Sequence, residues 1–112
     1  ADKWNIIFAR GARYEQVVTV EGYSGIETAT NWTLRCAMPN AAAFIEATIA
    51  NGMIVAGATA NQKIIRIPAA TTATFPRGNG RFDLELTFPN SVIDRLVSNQ
   101  QCEVVPKVGE VS

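Results

Sequence analysis

Gly80-Arg81-Phe82-Asp83-Leu84-Glu85-Leu86-Thr87-Phe88 is the stretch whose reading decides the fold. Successive side chains of an extended chain point to opposite sides, so Phe82, Leu84, Leu86 and Phe88 share one face and Arg81, Asp83, Glu85 and Thr87 the other. A strand that is apolar on one face and charged on the other belongs to an antiparallel sheet with one side on a core and one in water. Energies follow from the faces. Leu84→Ala is expected to cost about 2–5 kcal/mol, and Glu85→Ala, on the solvent side, less than about 0.5 kcal/mol.

The same period of two recurs on both sides of this stretch. Trp32, Leu34, Cys36 and Met38 alternate with Thr33 and Arg35, and Tyr14, Gln16, Val18 and Val20 alternate less cleanly. Further β-rich runs are Trp4–Phe8, Met53–Ala58, Lys63–Ile67, Val92–Val97 and Gln101–Val105. Turn formers separate them: Arg10-Gly11-Ala12, Glu21-Gly22-Tyr23-Ser24-Gly25, Asn51-Gly52, Pro76-Arg77-Gly78-Asn79-Gly80 and Pro89-Asn90-Ser91. Asn51-Gly52 suits a tight hairpin with positive φ at both positions. Over 41–50, Asn40 could cap a helix that Asn51-Gly52 would end, but Ile45, Ala47 and Ile49 also alternate with Phe44, Glu46 and Thr48. A strand over Phe44–Ile49 is the preferred reading, because a sheet routinely overrides local propensity. Ala69–Phe75 has room for one helical turn. Eight or nine short strands with regular turn signals predict an all-β antiparallel sandwich.

The 112 residues fit one domain and one core. Hydrophobic residues make up 47% and charged residues 18%, the balance of a chain that folds unaided. Ten Lys and Arg offset ten Asp and Glu, so no basic field draws nucleic acid. No apolar run reaches the roughly 20 residues a membrane span needs, and Ala1-Asp2-Lys3-Trp4 does not open a signal peptide. Synthesis in the cytoplasm is therefore expected. Ala1 is a small residue of the kind that follows a removed initiator Met, and the expectation is one domain over 1–112 with a short docking tail over 107–112.

The chain has no histidine, which removes the commonest general base and metal ligand. Cys36 and Cys102 lie in alternating apolar segments and are expected as two reduced core thiols. Asp83 and Glu85 form a carboxylate pair of the kind that does acid–base work, but a wet strand face produces the same pair. No glycine-rich loop precedes Lys-Ser or Lys-Thr, so no phosphate cradle is expected. Asn31-Trp32-Thr33 matches a glycosylation acceptor with no secretory route to use it. Asn79-Gly80-Arg81 and Arg10-Gly11-Ala12-Arg13 resemble adhesion-type tripeptides, but turn geometry suffices to explain both. Trp4, Trp32, Tyr14 and Tyr23 could form a sugar-stacking platform, although the alternation of Trp32 with Leu34 and Cys36 assigns it to the core. No catalytic, cofactor-binding or metal-ligating residue is assigned. The segments Trp4–Phe8 and Val104–Ser112 combine apolar side chains with little charge and are candidate docking elements.

From Arg10-Gly11 onward, the order of motifs resembles a family of small tailed-bacteriophage structural domains, similar to the immunoglobulin-like N-terminal domain of baseplate upper proteins. Arg10-Gly11 leads into Tyr14-Glu15-Gln16-Val17-Val18-Thr19-Val20, and Trp32-Thr33-Leu34-Arg35 fits the family's Arg-bearing strand. Lys63–Ile67 precedes the Thr-rich corner Ala69–Gly78, Gly80–Leu86 gives the aromatic-x-Leu-x strand, and Ile93–Val97 with Cys102–Pro106 fits the closing hairpin. The chain departs from the pattern at Ala12-Arg13, where the family has an acidic or small polar residue, and at Ser98-Asn99-Gln100, where it has a turn glycine. The resemblance implies an immunoglobulin-like sandwich in a virion, as a tail, baseplate, neck or fibre-adaptor component. It implies contacts with other virion proteins and with copies of itself in a homo-oligomer, and neither enzymatic activity nor a cofactor. A capsid decoration protein and a carbohydrate-binding or adhesion module are the alternative readings.

Overall fold

The computed structural model describes residues 5–105. Among the described residues eight strands form two sheets. β1 (Ile6–Ala9), β3 (Asn31–Ala37), β4 (Ala43–Thr48), β7 (Gly78–Thr87) and β8 (Ile93–Val105) make a five-stranded sheet in the order β1-β8-β7-β3-β4. β2 (Tyr14–Thr19), β5 (Ile54–Ala56) and β6 (Gln62–Ile67) make a three-stranded sheet in the order β2-β6-β5. The all-β expectation holds. A short 3-10 turn, Ile26–Thr28, and one helical turn, α1 (Ala69–Thr72), interrupt the strands.

One shared core joins the sheets: Trp32, Leu34, Phe82, Leu84 and Leu86 from the large sheet and Ile54, Ile65 and Ile67 from the small one are buried together. At roughly 1.5–3 kcal/mol for each fully buried large apolar side chain, this cluster is the main force opposing chain entropy. Phe8, Phe44 and Phe75 close one end of it, with Phe8 and Phe75 edge to face at 5.0 Å between ring centres.

Several sequence expectations are corrected. The sheets are not purely antiparallel, because β1 lies parallel to β8, with Ile6 opposite Cys102 and Ala9 opposite Val105. The turn at Arg10-Gly11-Ala12 carries the chain from β1 to β2 in the other sheet. Asn51-Gly52, expected as a tight hairpin, is not one: it carries the chain from β4 in one sheet to β5 in the other. Gly52 has φ of 82° and Asn51 is not among the positive-φ residues. Asn51 works through its side chain, whose Oδ1 accepts from the N–H groups of Thr48 and Met53 and whose Nδ2 donates to the Glu46 carbonyl at 2.7 Å. Asn79-Gly80-Arg81 is not a turn but the start of β7. Gly80 is required there because a Cβ would lie 2.4 Å from the Ala37 carbonyl oxygen.

The expected closing hairpin, Ile93–Val97 with Cys102–Pro106, is over its described residues one strand ending at Val105. β8 pairs along its length with β7, and Pro89-Asn90-Ser91 makes the turn between them. Between Phe82 opposite Gln100 and Leu84 opposite Val97, β8 spends three steps where β7 spends two, and a second extra residue follows before Arg95 opposite Glu85. These β-bulges take up Ser98-Asn99-Gln100 without reversing the chain. Asn99 sits at φ 56°, and its N–H donates to Asp83 Oδ1 at 2.8 Å.

The strand reading of Phe44–Ile49 stands against the helical one. β4 pairs with β3 from Thr33 opposite Thr48 to Ala37 opposite Ala43, and it buries Ile45 and Ala47. A helix would have left the edge of β3 unpaired. Cys36 and Cys102 are both buried and free. They sit on β3 and β8, which flank β7, so their backbones are about 9–10 Å apart by strand spacing, beyond disulfide reach. The missing side chain of Gly80 leaves room for the Cys102 sulfur. The Cys36 thiol is held far above the usual thiol range, first by its hydrogen bond with Cys102 and then by burial.

Candidate functional site

Two features of the surface carry more chemistry than the alternation of the strands suggested. The first is the outer face of the large sheet. Cross-strand register sets Glu46 beside Arg35 and Glu85 beside Arg95. Arg35 Nε donates to Glu46 Oε2 at 2.8 Å and its other nitrogen reaches Glu85 Oε1 at 3.3 Å, while Arg95 donates to Glu85 Oε2 at 2.9 Å. The result is a row of alternating charge, Glu46, Arg35, Glu85, Arg95, across four strands. Glu85 lies under the two guanidinium groups with its side chain 12% exposed, which corrects its assignment as a solvated carboxylate. Its face was read correctly; the arginines on neighbouring strands that cover it belong to the register, which alternation within one strand does not reveal. Asp83 is also on this face, accepting from Asn99, and the two carboxylates are engaged separately.

The second feature is a lateral groove between the sheets. β1 pairs with β8 from Cys102 to Val105, so the Ile93–Asn99 part of β8 is an edge of the large sheet among the described strands, and β2 is an edge of the small one. Between these edges lies an open groove of about 410 Å³, lined by Gln16–Thr19 of β2 and Val20 after it, by Leu96 and Val97 of β8, and floored by Leu84. None of these side chains is charged. Tyr23 stacks on Phe88 at 6.2 Å and its hydroxyl donates to the Asp94 carboxylate. That hydrogen bond, followed by burial, raises the Tyr23 phenol above its ordinary value. Val92 and Ile93 beyond it are 51% and 60% exposed.

The remaining candidates are distributed as follows. Trp32 is buried in the core, with Lys63 Nζ 5.1 Å from the ring centre. Asn31 spends its side-chain oxygen on the Ile49 N–H at 2.9 Å. Tyr14 packs edge to face on Phe8 at 4.8 Å, and burial pushes its phenol up to about 12. Trp32, Tyr14 and Tyr23 therefore do not make one aromatic platform; Trp4 lies outside the described residues, as do Pro106–Ser112 of the expected docking tail. Within the described part of Trp4–Phe8, Ile6 and Phe8 are buried and Ile7 is 58% exposed. Among the described residues no three His, Cys, Asp or Glu side chains converge on a point where they could hold a metal ion.

The early Arg10-Gly11 and the Thr-rich corner, 61 to 63 residues apart in sequence, meet in space. The buried Thr72 hydroxyl donates to the Ala12 carbonyl at 2.8 Å and accepts the Gly11 N–H at 3.1 Å, and Arg10 donates to the Ala73 carbonyl at 3.1 Å. Gly11 needs its φ of 80° to make this corner. No protein-family model matches this chain, and comparison with curated proteins yields no match.

Proposed function

We propose that the chain is a non-enzymatic structural protein of a tailed-bacteriophage virion, an immunoglobulin-like sandwich that acts through contacts with neighbouring virion proteins and with copies of itself. The observation that carries this reading is the uncharged groove between the edges of β2 and β8. A sheet edge offers unpaired N–H and C=O groups, and proteins that do not use such an edge for contact usually blunt it with charge, proline or cover. The β8 edge does carry Asp94, Arg95 and its two β-bulges, but the groove lining between the edges is uncharged, and Val17 and Ile93 on the edge strands are 50% and 60% exposed. The resemblance adds the setting, and the meeting of Arg10-Gly11 with Thr72 supports it by giving both motifs one structural purpose.

The test is immunoelectron microscopy of particles released from cells that express the chain from its own phage genome. Label at the tail, baseplate or neck supports the proposal. Label spread over the capsid surface would move the chain to a decoration role, and particles free of label would overturn the reading.

A further inference from the structure

We infer that β2 is a self-pairing edge: two copies of the chain join antiparallel through it about a two-fold axis at Val17, fusing their three-stranded sheets into one continuous sheet. The inference rests on the reading of the β2 side as a contact face, and not on the virion setting. Among the described strands the edges differ. β5 and β1 are short, at three and four residues. The free stretch of β8 is bulged. The outer groups of β4 are covered by one side chain, since Asn51 Oδ1 accepts the Thr48 N–H and Asn51 Nδ2 donates to the Glu46 carbonyl. Short length, bulges and cover are the usual ways of blunting an edge. β2, by contrast, runs for six residues in unbroken register with β6.

Two hydrogen bonds show which backbone groups β2 offers. The Arg66 N–H donates to the Met53 carbonyl and the Gln62 carbonyl accepts the Gly57 N–H, both on the β5 side of β6. Glu15 and Thr19, which stand opposite Arg66 and Gln62, are therefore in non-hydrogen-bonded pairs and turn their own N–H and C=O groups away from β6, as does Val17 between them. The Val17 carbonyl accordingly accepts from the Gln16 side chain at 3.1 Å, a bond that pairing replaces. Charge then sets the register. Arg13 and Arg66 flank Glu15 at 3.0 and 2.6 Å and leave that end of the edge positive, whereas Glu21 at the other end is exposed and acidic. A two-fold axis at Val17 sets Arg13 opposite Glu21 of the second copy, twice over, and Glu15 opposite Thr19. An axis at Glu15 or Val18 would oppose Glu15 to itself or to Glu21, and one at Gln16 or Thr19 would set Val17 against a carboxylate. Like charges directly opposite are destabilising. The outer face agrees, because Val17, Ile64 and Val55 stand opposite one another in an aliphatic row across the sheet, with Val17 50% exposed. Pairing continues this row through the second Val17, and the same patch serves both copies, as a two-fold interface requires.

The two-fold axis makes the test direct. Residue 17 meets its own copy at about 5.5 Å between Cα atoms, within disulfide reach, so Val17→Cys should give a disulfide-linked dimer under mild oxidation. Cys36 and Cys102 are buried and leave the new thiol as the accessible one. Glu15→Cys and Thr19→Cys should each cross-link several-fold more slowly alone than when mixed with each other. Sedimentation equilibrium of the full chain should show a monomer–dimer equilibrium that Arg13→Glu or Glu21→Arg weakens several-fold and that the two substitutions together restore, with the circular dichroism of the sheets kept. A chain that stays monomeric at every concentration would overturn the inference, as would a Val17→Cys cross-linking rate no faster than that of Glu15→Cys alone. A dimer that Val17→Lys leaves intact would also overturn it, by placing the contact elsewhere. These results leave the virion reading to the labelling of particles, and label-free particles would in turn leave a β2 dimer standing.

Discussion

Glu85 and Leu84 are adjacent in sequence and show how far one residue's role depends on its neighbours across the sheet. Leu84→Ala empties a site that is 1% exposed and should cost about 2–5 kcal/mol. Glu85→Ala leaves Arg35 and Arg95 without the carboxylate they share. Hydrogen bonds to charged groups contribute about 1.5–3 kcal/mol when well buried, but both arginines are partly solvated, which reduces the expected loss to about 1–2 kcal/mol. Glu46→Ala, at the exposed end of the row, should cost no more than about 0.5 kcal/mol. Urea melts of the three variants check the order Leu84, Glu85, Glu46; equal effects at Glu85 and Glu46 would mean that the row is not cooperative. Tyr14 gives a prediction in pH. A tyrosine in the unfolded chain loses its proton near 10, whereas burial keeps Tyr14 protonated to about 12. Its contribution is fully present below about pH 10 and is lost as the pH rises through about 12, because there the unfolded chain binds fewer protons than the fold. Between about pH 9 and about pH 11, the unmodified protein should therefore lose more stability than Tyr14→Phe, which keeps Tyr23 and its titration.

The elements were legible in the sequence wherever one face of a strand is buried. β7 and β3 read cleanly because Phe82, Leu84 and Leu86, and Trp32, Leu34 and Cys36, all point into the same core. β2 read poorly for a physical reason: it is an edge strand, where Gln16 is exposed and Val18 only partly covered. β8 was misread as two strands because Ser98-Asn99-Gln100 has the composition of a turn. A turn and a bulge ask for similar residues, those that tolerate positive φ, and only the partner strand decides between them. Asn99 tests this at the scale of the element. A β-branched residue at φ 56° is strained, so Asn99→Val should cost about 1–2 kcal/mol, while Asn99→Gly should stay within about 1 kcal/mol of the original. If valine and glycine there behave alike in thermal melts, the bulge geometry is wrong.

At the scale of the whole molecule, alternation announced the class of fold but not how the chain is routed between the sheets. The crossings at Arg10–Ala12 and at Asn51-Gly52, and the parallel pairing of β1 with β8, depend on which strands meet, and no local pattern encodes that. The groove was invisible for the same reason. Its lining comes from β2, β7 and β8, and it exists because β1 covers part of β8 and leaves the rest as an edge. The outer charge row and the uncharged groove divide the surface between a self-satisfied face and a face with edges to offer. The proposed building block would join its neighbours along the side with edges, and closed assemblies of identical blocks are symmetric. The central claim is therefore most directly tested by counting. Quantitative mass spectrometry of purified particles, referenced to their major coat protein, should find the chain at a fixed copy number that is an integer multiple of the particle's tail or capsid symmetry. Absence of the chain from purified particles, or a trace amount that varies between preparations, would contradict the account.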